Sequence, residues 1–243
     1  MRRRMSWFVP IALVGTMVVS MGTAQAMTGR HKQKSDPYGG FALLLKSRGP
    51  AAHAGGTAGP SSSAATTFTV PTITCGASET SGVIAGSGIF SSVSSWVSAG
   101  GIVVGCDSGA AVYAAEAVIN NDPTVLDLSP APGDTVSTSV VIVPGSTQVV
   151  VDDVTQDVSL TTTAAVGMVG TYISNGIDAE RAPGVLPVPN FGVMTFSNTS
   201  INGLTVKKAH GKPINRKAGS VLQIKTGKLN KAGNQYTETF IHS

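Results

Sequence analysis

The most constraining feature of this sequence is a strict two-residue alternation between residues 135 and 143. The apolar side chains of Val136, Val140 and Ile142 share one face of an extended chain there, and serines lie on the other face. This pattern predicts a half-buried strand, because successive side chains of a strand point to opposite sides. Pro144-Gly145-Ser146 then turns the chain and the alternation resumes, which predicts an antiparallel meander.

Similar short runs, rich in Val, Ile, Thr and aromatic residues, recur between clusters of Gly, Pro, Asn and Asp. They predict further strands at 68–73, 101–104, 193–197, 221–226 and 236–241. Charged residues make up only 12% of the chain, and 29 residues are glycine, a composition that argues against helical bundles. We therefore expect an all-β, antiparallel two-sheet β-sandwich.

One stretch, Gly109–Asn120, is rich in alanine and favours a helix by local propensity. Pairing with neighbouring strands can override such a preference. The sequence leaves both structures open at this position.

The formal net charge of +4 results from segments of opposite sign. Residues 49–180 contain eleven acids and no Lys or Arg, whereas residues 181–243 contain nine Lys or Arg and one acid, Glu238. The basic residues are not interleaved with aromatics, so no nucleic-acid partner is expected. A solvated rim, a counter-charge for the acidic centre and a contact with a polyanionic cell wall remain as interpretations of the basic segment.

Residues 1–26 are predicted to be a signal peptide. Three arginines at positions 2–4 precede an apolar run over residues 7–21, and Ala24-Gln25-Ala26 fits a cleavage site. A membrane anchor is the alternative, but the run is shorter than the roughly 20 residues that a spanning helix needs. We expect a secreted, extracellular protein with no membrane association after signal removal.

The rest of the chain divides by composition. Residues 27–65 form a basic and then Gly/Ser-rich N-terminal segment, which we expect to be partly flexible, and residues 66–243 form the predicted sandwich domain. Two cysteines, Cys75 and Cys106, occur in this domain. For an exported chain they predict a disulfide bond. A catalytic thiol is the alternative, but it requires a histidine partner, and all four histidines lie outside the central region.

Common catalytic motifs are missing from the sequence. There is no Gly-x-Ser-x-Gly pentad, and Gly86-Ser87-Gly88 lacks the lysine of a phosphate-binding loop. There is no His/Cys cluster of the kind that binds zinc. Asp152, Asp153 and Asp157 fit a solvated hairpin rim better than a loose calcium site. No metal and no cofactor are therefore predicted, and carboxylates are the remaining candidates for chemistry.

Several short motifs follow one another in a characteristic order over most of residues 36–243. They are Tyr38-Gly39-Gly40-Phe41, Phe68-Thr69-Val70-Pro71-Thr72-Ile73-Thr74-Cys75, Ser95-Trp96-Val97, Ala179-Glu180-Arg181-Ala182-Pro183 and Leu186-Pro187-Val188-Pro189-Asn190-Phe191-Gly192-Val193. In order and spacing they resemble the glutamic peptidases, or eqolisins, and the chain looks like a divergent, bacterial-type member. The resemblance implies a concanavalin-like, eqolisin-type sandwich.

The resemblance also implies a site. In that family a glutamate acts as general base on a water molecule and a glutamine stabilises the oxyanion. Glu180 falls on the glutamate position, and Trp96 and Tyr38 fall on the substrate groove. No glutamine occurs in the strand that follows Trp96.

Two functions follow from this resemblance. The first is an acid endopeptidase with Glu180 as general base and a polypeptide substrate. The second is a non-catalytic, cell-wall-associated sandwich that binds peptide or glycan. A monomer is expected in either case.

Overall fold

A computed structural model of the chain describes residues 39–44, 62–92, 95–120, 122–143, 145–165, 172–179, 181–182 and 184–243. Every regular element in these ranges is a β-strand. In chain order the strands are β1 (Gly40–Leu44), β2 (Ser62–Thr69), β3 (Ser81–Ser92), β4 (Ser95–Asp107), β5 (Ala110–Ile119), β6 (Asp122–Val125), β7 (Thr135–Val143), β8 (Ser146–Asp153), β9 (Val158–Ala164), β10 (Tyr172–Ala179), β11 (Arg181–Ala182), β12 (Gly184–Val185), β13 (Val193–Ile201), β14 (Leu204–Thr205), β15 (Lys212–Ile214), β16 (Arg216–Ala218), β17 (Val221–Thr226) and β18 (Tyr236–Phe240).

The strands form two antiparallel sheets, which confirms the predicted all-β sandwich class. The seven-stranded sheet has the order β15-β1-β10-β3-β4-β5-β6. The nine-stranded sheet has the order β16-β17-β18-β13-β2-β7-β8-β9, with β14 paired to β13. A short hairpin of β11 and β12 follows β10. No helix in the described ranges is long and apolar enough to cross a membrane.

The predicted strands at 135–143 and 221–226 are present as β7 and β17 with the same bounds. The prediction at 68–73 is only partly right, because β2 begins earlier and ends at Thr69. Pro71 has no N–H to donate to a ladder, which ends the strand there. Residue 70 instead exchanges backbone hydrogen bonds with the turn before β7, at Gly133 and Asp134.

The helical propensity of Gly109–Asn120 is overridden by strand pairing. Residues 110–119 form β5, which pairs with β4 over its whole length and with β6 on its other side. Ala115 and Ala117 are fully buried between the sheets. Small side chains fit a strand at this position because the two sheets approach each other closely there.

The first strand contributes to the seven-stranded sheet from within the N-terminal segment. β1 lies between β10 and β15, with Phe41 opposite Asn175. Phe41 is buried in the core that the two sheets share. Residues 40–44 are therefore part of the sandwich itself.

A chain of aromatic rings connects the two sheets at the centre of the core. The Tyr236 ring lies 4.8 Å from Phe41 of the other sheet and 5.3 Å from Phe196, and Phe196 lies 5.4 Å from Phe68. The Tyr236 hydroxyl donates a 2.7 Å hydrogen bond across the sandwich to the carbonyl oxygen of Asn175. Aromatic pairs in these tilted and stacked arrangements stabilise a core beyond their buried area.

A disulfide bond joins Cys75, in the segment after β2, to Cys106 near the end of β4. This confirms the predicted pairing, and neither thiol is free to act as a nucleophile. The bond closes a loop with a sequence separation of 31 residues. It fixes the segment that leads into β3 against the seven-stranded sheet.

We expect the double substitution Cys75→Ala and Cys106→Ala to lower the free energy of unfolding by roughly 3–4 kcal/mol, since the bond restricts the unfolded chain. For a domain of this size that loss corresponds to a fall in melting temperature of about 10 °C. Thermal denaturation of the variant and of reduced wild type measures the effect. Equal melting temperatures for oxidised wild type and the variant would contradict it.

Candidate functional site

The face of the seven-stranded sheet that points away from the nine-stranded sheet holds the candidate site. On β10, Ile173 and Ile177 point into the shared core, and the Asn175 side chain donates to the Ser200 carbonyl of the other sheet at 3.1 Å. Because strand residues alternate, Ser174 and Asp178 lie on the opposite face. This face carries its own apolar cluster, made of Ile84, Phe90, Ala99 and Val118.

A shallow pocket lies against β3 and β10 on this sheet. Its lining consists of apolar side chains, glycines, two serines and one carboxylate: Ile84, Gly86, Ser87, Gly88, Phe90, Gly100, Ser174, Gly176, Ile177 and Asp178. A few polar groups in a largely apolar wall is a type of lining that ligand sites also have.

The floor of the pocket is bare backbone. Gly86 of β3 pairs with Gly176 of β10 on one side and with Gly101 of β4 on the other, so three glycines form a row across the sheet. A Cβ atom on Gly86 would lie 2.1 Å from the Gly100 carbonyl oxygen, and one on Gly101 would lie 2.5 Å from the Ala85 carbonyl oxygen. Larger residues therefore do not fit here, because glycine lets the main chains of the neighbouring strands approach each other closely.

Asp178 is the charged residue of the pocket lining. It is the penultimate residue of β10 and is only 5% exposed. Its partner across the ladder is Ile84. The carboxylate therefore lies two residues along β10 from Gly176 and beside the apolar Ile84.

Behind the pocket, Arg216 is completely buried. Its Nε donates to Gln223 Oε1 at 3.1 Å, and its Nη2 donates to the Leu186 carbonyl oxygen at 3.2 Å. Burial lowers the pKa of Arg216 to about 10, while the charges of Asp178 and Glu238 act to raise it. The guanidinium is therefore cationic at neutral and acid pH and holds the segment that follows the β11–β12 hairpin.

Glu238 is also completely buried, beneath β1 and β10. Cβ atoms on Gly40 and Gly176 would lie 2.8 Å and 2.6 Å from its Oε1. These glycines have φ values of +103° and +141°, a backbone conformation that side chains disfavour. Burial raises the pKa of Glu238 well above its ordinary value, although the Ile177 N–H and the Arg216 charge act to lower it.

Of the site residues that the sequence predicts, the structure describes some in full, one by its backbone alone, and two not at all. Cys75 and Cys106 are joined. Trp96 is the second residue of β4 and its backbone pairs with Phe90, but the Trp96 side chain lies outside the described residues. Tyr38 and Glu180 also lie outside them. Their roles in the groove and in catalysis stay predictions.

The strands of the seven-stranded sheet contain no glutamine in their described ranges. Gln223 lies in the other sheet and accepts from Arg216. Sequence reasoning did not assign Ser174, Asp178, Arg216 or Glu238 to the site. Glu238 is the one acid among the nine basic residues of 181–243, and this isolation was the sequence feature that could have indicated a buried carboxylate.

The sequence matches no family model and no curated protein. Solved structures of glutamic peptidases do share the fold. A scytalido-glutamic peptidase with a transition state analog inhibitor is 11% identical, with a TM-score of 0.63 over 85% of this chain and 98% of that chain. SCP-B, a member of the eqolisin family of peptidases in complex with the tripeptide Ala-Ile-His, is 14% identical, with the same TM-score and coverage. The chain therefore has an eqolisin-like β-sandwich fold.

The buried Glu238 makes stability depend on pH. Because its folded pKa is raised, its contribution is complete below its ordinary value of 4.5 and is lost as the pH rises through the folded pKa. We expect Glu238→Gln to melt close to wild type at pH 4 and above wild type at pH 8, since the amide does not ionise.

Thermal melts of both proteins across this pH range measure the effect, with the exposed Asp157→Asn as control. Asp134 acts in the opposite sense, since the Ala131 N–H and the Gln156 side chain lower its pKa. The difference between wild type and Glu238→Gln at each pH removes this background. A difference that does not grow with pH would refute the role of Glu238.

Proposed function

We propose that this protein is secreted and binds an extended polypeptide in the pocket of the seven-stranded sheet. The observation that carries the proposal is the pocket against β3 and β10, where Gly86 and Gly176 contribute main chain and no side chain to the lining. A peptide main chain can lie close to such a floor, and Ser174 and Asp178 offer polar contacts at its edge. The glutamic-peptidase-like fold and the disulfide support this proposal.

Acid hydrolysis of the bound peptide is the second candidate function. Glu180 follows β10 directly in the sequence and would act as the general base on a water molecule. The seven strands offer no glutamine to stabilise the oxyanion, and losing one such donor typically slows catalysis by about 10²–10³-fold. Binding is therefore the primary function proposed, and hydrolysis is the secondary one.

Filling the pocket tests the binding function. We expect Ser174→Phe to weaken binding of a fluorescently labelled, denatured protein by at least about tenfold, because the ring occupies the space above the glycine floor. Fluorescence anisotropy measures the affinity, and Thr195→Phe, at an exposed position of the nine-stranded sheet, is the matched control. Equal affinities for both variants would exclude this pocket, and displacement of the probe by a soluble glycan alone would identify a glycan as the ligand.

Cleavage of the same denatured protein between pH 2 and 5 tests hydrolysis. If Glu180 is the general base, Glu180→Gln abolishes the cleavage that wild type shows, and the exposed Asp157→Asn does not. Electrophoresis of the digests is sufficient as a readout. No cleavage by wild type would leave peptide binding as the function, and equal cleavage by both proteins would remove Glu180 from the reaction.

A further inference from the structure

The fold separates the two kinds of charge onto opposite edges of the sandwich. Three lysines lie on strands at one end of the strand order, namely β15, β16 and β17, and four more lie in the loops after β14 and after β17. Carboxylates lie toward the other end, with Asp122 on β6, Asp152 on β8 and Asp157 in the turn before β9. The segregation of exposed charge along the sequence is thus also a segregation in space, while Asp178 and Glu238 are buried.

Seven exposed lysines lie at the basic end. Six of them, which we call the lysine edge, are Lys207, Lys208, Lys212, Lys225, Lys228 and Lys231, and the seventh is Lys217 on β16. Residues 181–237 contain no Asp or Glu, and Glu238 is completely buried. No carboxylate side chain from this part of the chain therefore neutralises the lysines. Such a group of like charges attracts a multivalent anion.

Hydrogen bonds hold the loops of this edge together. The Lys207 N–H donates to the Gly233 carbonyl oxygen at 3.1 Å, which joins the loop of Lys207 and Lys208 to the loop of Lys228 and Lys231. The Asn230 side chain accepts from the Gly233 N–H at 2.7 Å and stabilises the second loop. The lysines are therefore presented from ordered turns.

The two remaining lysines are brought to the same region by contacts between β15 and β17. The Thr226 N–H donates to Asn215 Oδ1 at 2.8 Å, and the Thr226 hydroxyl donates to the Ile214 carbonyl oxygen at 2.5 Å. Lys225 precedes Thr226, and Lys212 lies two residues before Ile214. Both are thus close to the start of the second loop at Gly227.

The chemistry of the edge favours phosphate groups of a polymer. Lysine binds phosphate as a point charge, whereas arginine provides the planar fork that recognises single groups in two-point contacts. The described arginine of this region, Arg216, is buried, so the exposed cations are lysines. Residues 204–235 contain no Phe, Tyr or Trp, so His210 provides the one ring in this range on which a nucleic-acid base could stack.

We propose that the lysine edge binds a linear polymer of phosphate groups, such as a phosphate-rich polymer of a cell surface. The polymer lies along the two joined loops. The density of positive charge holds it there, and binding does not depend on the order of monomers in the polymer. The edge is on different strands from the pocket of the seven-stranded sheet, so this binding does not depend on the proposed peptide function.

Long-chain inorganic polyphosphate is the probe for this proposal. We expect it to bind wild type at low ionic strength, with an affinity that falls steeply as salt is added. The triple substitution Lys207→Gln, Lys208→Gln and Lys231→Gln should weaken binding at least about tenfold and reduce the slope of log K against log salt by about two. Isothermal titration calorimetry over a salt series measures both quantities.

The matched control changes the net charge equally on the opposite edge. Ser159→Glu, Thr161→Glu and Thr163→Glu place three charges at exposed positions of β9. This control should bind polyphosphate within about twofold of wild type, and circular dichroism should show that both triple variants are folded. Equal losses in the two variants would overturn the proposal, because binding would then follow net charge alone.

Other ligands define the remaining outcomes. If single-stranded DNA or polyglutamate bound more tightly than polyphosphate, the preferred ligand would be another class of polyanion. That result would overturn the assignment. No binding of polyphosphate would also overturn it. If sedimentation then showed salt-sensitive self-association of wild type, the lysine edge would instead be the contact for the acidic edge of a second copy.

Discussion

The packing of Tyr236 between the two sheets fixes the geometry on which the site depends. Its ring contacts Phe41 of the seven-stranded sheet, and its hydroxyl donates to the Asn175 carbonyl oxygen of β10. This contact sets β10 against β18, and Glu238, two residues after Tyr236, then points in the same inward direction. The position of Gly176 above the carboxylate and the position of Asp178 in the pocket lining both follow from that alignment.

The sequence predicted the class of fold well because the signal is local. Alternation in β7 and the apolar run of β17 mark strands whose bounds need no knowledge of their neighbours. The Ala-rich β5 shows the limit of this approach. Its residues prefer a helix, and pairing with β4 and β6 together with the burial of Ala115 outweighs that preference.

The candidate site was less predictable, since it is assembled from residues far apart in the chain. Asp178, Arg216 and Glu238 come from β10, β16 and β18, and their proximity depends on the strand order of two sheets. The resemblance to glutamic peptidases indicated Glu180 and the groove, but it contained no signal for the buried Arg216. A buried cation with a fixed hydrogen-bond geometry is recognised only when its partners, Gln223 and Leu186, are seen around it.

The glycine floor also has a consequence for motion. Glycine loses more conformational freedom on folding than any other residue and adds no side-chain packing to a strand. We therefore expect a row of three such residues across β10, β3 and β4 to reduce the rigidity of the sheet locally. Local opening of the backbone, seen as faster exchange of amide hydrogens, is expected to begin at this row. The proposed ligand would bind at this row. We therefore expect binding to slow the exchange of amide hydrogens in the strands that the ligand covers.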